Sequence, residues 1–307
     1  HVDSEIDTIK KRLLRTCSQV WILRPFIVLS KLLNRNSTIY KTGRRDLIIS
    51  GRILQFVIFL LSFVITIFVM QAALKGRKMP SVRRLAAIDA IKEAVGRAAE
   101  TGQPVVFNNG WGGILSAEFS IQTLAGVDVL SHVAKETAKM NTRLLIPIYQ
   151  GATLPLVTDT VYGAYLSAGF PERFQTNADI RYISDEQWPW ISAVMGMLRR
   201  EKPAANILMG FFWGETLLQT ESGFLSGAIQ IGGTAQMDAI CYFAATCDYF
   251  LIGEELYAAG AYISGDPLQR SSIYSEDIVK SIVLAMLVVG VLLMAAGSDI
   301  LVNLLRS

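Results

Sequence analysis

PVVFNNGWGG, residues 104–113, is an apolar run of strand length that ends in two amides and three glycines. Pro104-Val105-Val106-Phe107 predicts a buried strand, and Asn108-Asn109-Gly110-Trp111-Gly112-Gly113 predicts the turn at its carboxyl end. A long helical pattern follows from about Ser116 to Met140. The same alternation recurs on both sides. A helix over about 85–100 leads in, and further strands are predicted at Arg143–Tyr149, Asp179–Ser184, Asn206–Phe212, Ala228–Ile231 and Tyr249–Ile252. Helical patterns begin near Leu154, Trp188, Gly214, Thr234 and Glu254. Parallel strands need crossovers of this kind, and uninterrupted apolar strands suit burial on both faces. The predicted fold is therefore α/β: a doubly wound, mostly parallel sheet of about six strands. No repeat of 20–50 residues and no low-complexity tract interrupts it. Gly265-Asp266-Pro267 marks the expected hinge beyond it.

Outward from this body, two apolar stretches flank the sheet. Ile53–Leu74 (ILQFVIFLLSFVITIFVMQAAL) carries no charge and is bracketed by Arg44, Arg45 and Arg52 before it and Lys75, Arg77 and Lys78 after it. About 33 Å of helix crosses the hydrocarbon core, so a transmembrane helix over 53–74 is expected. A second is expected over 278–297, where SIVLAMLVVGVLLMAAG begins at Ser281 behind Lys280. Its alternative is a buried C-terminal helix of the body. The organisation that follows is a basic tail over 1–52, a span over 53–74, an α/β domain over 75–277, a span over 278–297 and a C-terminal tail over 298–307. Within the tail, Ile6, Ile9, Leu13 and Leu14 among basic residues suggest an amphipathic helix, and Val20–Leu29 an interfacial segment. The chain opens on His1 rather than methionine, so loss of its true start is expected.

Composition agrees with a membrane location. Of 307 residues, 51% are hydrophobic and 18% charged, below the quarter or so usual in soluble domains. The net charge of +3 divides unevenly: residues 1–52 hold eleven Lys or Arg against four Asp or Glu, and residues 85–307 hold thirteen against twenty-two. An acidic folded body argues against nucleic acid as a partner. The lipid bilayer is the expected partner, together with further copies of the chain or other membrane-complex subunits. Unpaired cysteines and the basic cluster after Leu74 place the body on the cytoplasmic side of the cell membrane.

In open α/β sheets, ligands bind beyond the carboxyl ends of the strands. The residues expected there are Asn108, Asn109, Gly110, Gly112, Gly113, Asp185, Glu215, Gly232, Gly233, Thr234 and Glu254. Gly110–Gly113 and Gly232-Gly233-Thr234 read either as anion-cradling loops or as tight turns, and neither completes a dinucleotide or phosphate-loop motif. Asp185, Glu186, Glu215, Glu254 and Glu255 each follow a predicted strand. Together they would hold a divalent cation; separately they are first-turn acids favoured by a helix dipole. No nucleophile elbow occurs, and His132 is the only internal histidine. No catalytic set, metal site or cofactor is therefore expected. Cys241 and Cys247 read as small buried apolar groups, and Trp188, Trp190 and Trp213 as core or interface anchors.

GILSAEFSIQTLAGVDVLSHVAKETAKMNTRLLIPI, ILMGFFWGETLLQTESGFLSGAIQIGGTAQM and CDYFLIGEELYAAGAYIS, all within residues 113–264, resemble one family. This is an uncharacterised bacterial and archaeal family of membrane-anchored domains of unknown function (family 6754). The resemblance extends over most of residues 85–295. It implies membrane anchoring and carries no activity, cofactor or site residue. The leading functional expectation is a non-catalytic scaffold or assembly module. The alternative is a membrane-bound enzyme or sensor holding a nucleotide or small anion in the crevice. Transport through a pore is the weakest reading, because neither span holds an interior charge.

Overall fold

The computed structural model describes residues 53–77 and 79–295. The tail over 1–52, the end of the expected second span at 296–297 and the tail over 298–307 lie outside the described residues. A compact unit over Ile58–Ser298 carries the α/β body.

Six strands form one parallel sheet in the order β3-β2-β1-β4-β5-β6. They are β1 Val105–Gly110, β2 Leu144–Ile148, β3 Ala178–Tyr182, β4 Ala205–Phe211, β5 Ile229–Thr234 and β6 Tyr249–Ile252. The expected strands are all present. β1 and β5 run three residues further than the apolar signal, so Asn108-Asn109-Gly110 and Gly232-Gly233-Thr234 are strand rather than loop. The order builds outward from β1 through β2 to β3, then crosses to β4 on the other side. The topological switch point therefore lies between β1 and β4.

The helices of ten residues or more are α1 Ile53–Leu74, α2 Ala86–Thr101, α3 Ala117–Met140, α4 Leu154–Ala168, α5 Gln187–Glu201, α6 Thr216–Ser226, α7 Met237–Thr246, α8 Glu254–Ser264 and α9 Pro267–Ala295, and a single helical turn, Phe174–Asn177, precedes β3. Alternate strand residues feed two layers. Val105, Phe107, Leu144, Ile146, Ile207, Met209 and Ile231 pack with α2, α3, α4 and α8. On the opposite face Val106 and Leu145 pack with α5, and Leu208 and Phe212 with α7. β1, β2 and β4 are buried along their whole length.

Between those two smaller clusters, α6 turns a polar face inward. Thr216, Gln219, Thr220 and Ser222 are buried, while Leu217, Phe224 and Leu225 are exposed. One inward polar group is met by a strand amide, Asn108 Nδ2 donating to Gln219 Oε1 at 2.6 Å; beside α6, Asn206 Nδ2 on β4 donates to Gln230 Oε1 on β5 at 3.2 Å. Buried polar groups need such partners.

Among the described residues one helix, Phe56–Leu74, is long and apolar enough to cross a membrane. Helix α9 is continuous from the body into the second apolar stretch. Gly265, with φ of +66°, ends α8, and Pro267 opens α9 within the expected hinge.

Candidate functional site

Carboxyl ends of parallel strands open on one end of the sheet, and loops 111–116 and 212–215 flank the switch point there. The space between them is filled by aromatic rings. Trp111 and Trp213 lie 4.8 Å apart between centroids, Phe119 and Phe211 4.1 Å, and Trp111 and Phe211 5.3 Å. Tyr149, at the end of β2, continues the cluster to the fully buried Trp190.

The glycines beside these rings are in contact with protein atoms. Gly110 has φ of +77°, and a Cβ built there would lie 2.1 Å from the Phe211 carbonyl oxygen. Only glycine permits β1 and β4 to converge so closely, and the strand register slips between Asn108 and Gly110. Gly112 abuts Phe211 and Phe119, and Gly113 abuts the Gln150 side chain. Gln150 Oε1 accepts the Ile114 and Leu115 N–H groups at 2.7 and 3.2 Å, fixing the loop that would otherwise face a ligand. Gly232 packs against Phe243 and Cys247, and Gly233 against Met209 and Leu251.

The amides and carboxylates are distributed rather than convergent. Asn108 is buried, and its Oδ1 accepts the Gly110 N–H at 2.9 Å. Asn109 is 4% exposed, and neither polar atom of its side chain has a hydrogen-bond partner. Thr234 Oγ1 donates to Gln122 Oε1 at 3.4 Å, which ties β5 to α3. Asp185 Oδ1 accepts the Gly151 N–H at 3.0 Å. Glu254 pairs with Lys280, and Glu255 with Arg83. No group of three or more His, Cys, Asp or Glu side chains comes close enough to hold a metal ion among the described residues. The five strand-end acids therefore do not form the divalent-cation cluster that was one of their two readings.

Glu215 is the acid at the switch point, and it is buried. Oε1 accepts the Trp213 N–H at 2.9 Å and Oε2 accepts from Gln187 Nε2 at 3.1 Å. Burial pushes its carboxyl above the ordinary carboxylate range, against the N–H donors of Trp213, Glu215 itself and Gln187. The Trp111 indole N–H acts in the same opposing direction, without forming a hydrogen bond of good geometry. A proton held more tightly in the fold stabilises it at low pH, and that stabilisation is lost as pH rises through the raised pKa. Chemical denaturation from about pH 4 to neutral is therefore expected to show wild-type stability falling relative to Glu215→Gln. Parallel curves would show that Glu215 does not titrate differently in the fold.

His132 lies within α3, where burial lowers its pKa and favours neutral imidazole. Cys247 is pushed up to about 12, chiefly by burial, whereas Cys241 is exposed, contrary to its reading as a buried apolar group. Gln122 and Gln187, the partners of Thr234 and Glu215, carry no local sequence signal of those contacts. Exposed apolar side chains lie in the loops after the strands and near the starts of the helices that follow: Leu115, Ile121, Trp188, Trp213, Leu217 and Met237.

A family model described as a domain of unknown function (DUF6754) matches residues 43–305. No curated protein and no solved structure matches the chain.

Proposed function

We propose a function for a chain that belongs to the DUF6754 family of domains of unknown function: a membrane-anchored, non-catalytic α/β module that assembles with copies of itself or with other membrane subunits. The observation that carries this reading is the filled crevice together with the exposed apolar side chains of the loops and helix starts at the same end of the sheet. Trp111, Phe119, Phe211 and Trp213 occupy the place where an α/β sheet ordinarily admits a ligand. At that end Met237 is 86% exposed, Leu115 75% and Trp188 65%. Apolar side chains gathered at the βα loops suit a protein contact.

Extraction in mild detergent followed by mass measurement is expected to give an oligomer or a larger complex. A strictly monomeric chain would refute the proposal. Trp188→Ser combined with Met237→Asp is expected to shift the assembly towards monomer while the body's melting changes little, as exposed substitutions do. An unchanged mass distribution would remove this face as the contact.

The anchor has two crossings in this reading, with the body cytoplasmic and both tails outside. Eight large apolar side chains of α9 between Ile282 and Leu292 are 42–64% exposed, which supports contact with lipid rather than with the body's core. After replacement of Cys17, Cys241 and Cys247, reporter thiols at Ser37 and Ser307 should react with an impermeant reagent on intact cells, and Ser264 should stay protected. Equal behaviour of Ser37 and Ser264 would refute the first crossing. Ser307 following Ser264 would refute the second, and labelling of Ser264 alone would invert the orientation.

A further inference from the structure

Helix α8 begins at Glu254, directly after β6, where the Gly253 N–H donates to the Thr234 carbonyl at the end of β5 at 3.0 Å. Its first turn therefore lies at the carboxyl end of the sheet. Glu254 pairs with Lys280 of α9, and Glu255 with Arg83 of the segment that leads from α1. Two neighbouring residues thus hold the root of one apolar helix and the lead from the other.

The course of α9 follows from the same contacts. It starts at Pro267, close behind the end of α8 at Ser264, and meets Glu254 at Lys280. It therefore runs back along α8, with Ser271 and Ser275 buried, and reaches the carboxyl end of the strands at Lys280. Residues 281–295 carry the same helix about 22 Å further. Leu115, in the loop after β1, is 75% exposed at this end, and Ile252, the last residue of β6, is 47% exposed. At the amino end, Arg143, Arg199, Arg200 and Lys202 are exposed before β2 and β4, and Phe224 and Leu225 before β5.

We infer that the carboxyl end of the sheet rests on the bilayer, with Leu115 and Ile252 in contact with the lipid interface. If α9 enters the membrane, the bilayer begins just beyond Lys280, a basic residue at the border of an apolar stretch. The amino end cannot then face the membrane, because Glu254 and Glu255 hold both helices at the opposite end. Exposed apolar side chains beside the roots of the helices leave water by settling among headgroups. The inference rests on the two crossings proposed above and narrows the assembly proposed with them. Two copies cannot meet head-on through this end, because their α9 helices would point in opposite directions and place the bodies on opposite sides of one bilayer. A subunit that meets Trp188 or Met237 does so beside the membrane surface.

The test uses the full chain, with Cys17, Cys241 and Cys247 replaced, in phosphatidylcholine nanodiscs that carry a headgroup spin label. A fluorophore is attached through Leu115→Cys or Ile252→Cys, and for comparison through Thr101→Cys or Arg199→Cys, near the ends of α2 and α5. Unchanged near-ultraviolet circular dichroism shows that each variant folds. Quenching is expected to be about threefold stronger for the first pair, because the amino end lies a strand length further from the headgroups. Equal quenching at the two ends, or stronger quenching at the amino end, overturns the inference. If the Leu115→Cys and Ile252→Cys labels are shielded from both the lipid and an aqueous quencher, a protein subunit covers them, and lipid as the occupant is overturned. Thiol labelling at Ser307 reports the crossing of α9 and mass measurement reports the assembly, so each reading fails separately. If α9 crosses and both ends are quenched equally, only the orientation of the body is lost.

Discussion

Trp190→Ala is expected to destabilise the body by about 4 kcal/mol, in the range for removing a large aromatic side chain from a core. Trp190 is fully buried against Val106, Leu145, Ile191, Val194 and Leu198, and its ring meets Tyr149 at 5.6 Å. It is the largest side chain in the layer that α5 makes with the sheet, so its removal leaves a cavity under the end of β2. Its indole N–H has no hydrogen-bond partner. Trp190→Phe therefore retains most of the packing and removes an unsatisfied donor, and should cost well under half as much. Urea denaturation of the detergent-solubilised chain, followed by near-ultraviolet circular dichroism, measures both. Equal losses for the two variants would contradict a packing role for the ring.

Gly126→Ala should lose about 2 kcal/mol, although alanine is the better helix former. Gly126 is the point at which α3 rests on the sheet. A Cβ there would lie 2.2 Å from the Met209 carbonyl oxygen and 2.4 Å from Asn109 Oδ1. One contact is with backbone and the other with a buried amide, so neither yields without moving α3 away from β4. Gly96, in α2, has nothing within 4 Å of the same position, and Gly96→Ala should gain up to about 1 kcal/mol. Opposite signs for the two substitutions, from the same denaturation midpoints, are the expected result. A gain at both would mean that α3 is not seated on the β4 carbonyl.

The strands were readable because a fully buried parallel strand is an apolar run, and its crossover helix begins where that run stops. Leu144–Ile148 and Tyr249–Ile252 show this directly. Asn108–Gly110 and Gly232–Thr234 did not read as strand because their residue types favour turns. Inside the sheet their backbone joins the ladder, Asn108 finds Gln219 across the sheet face, and Gly232 makes room for Phe243. The inward polar face of α6 was hidden for the same reason: Gln219 takes its partner Asn108 from β1, and Gly223 lies against Asn206 of β4 and Gln230 of β5.

Chain-local physics was enough for the alternation of strands and helices, the apolar length of Ile53–Leu74 and the contrast between a basic tail and an acidic body. Apolar periodicity, span length and charge are properties of neighbouring residues, and no distant contact is needed to read them. Whether a glycine cradles an anion or receives a side chain depends on what the fold brings opposite it. At Gly112 that is Phe119 and Phe211, and at Gly113 it is Gln150. The strand-end carboxylates were likewise equivalent along the chain. The tertiary structure separated them, burying Glu215 beside Trp213 and giving Glu254 to Lys280, because an acid's partner is set by which charges and donors approach it in space.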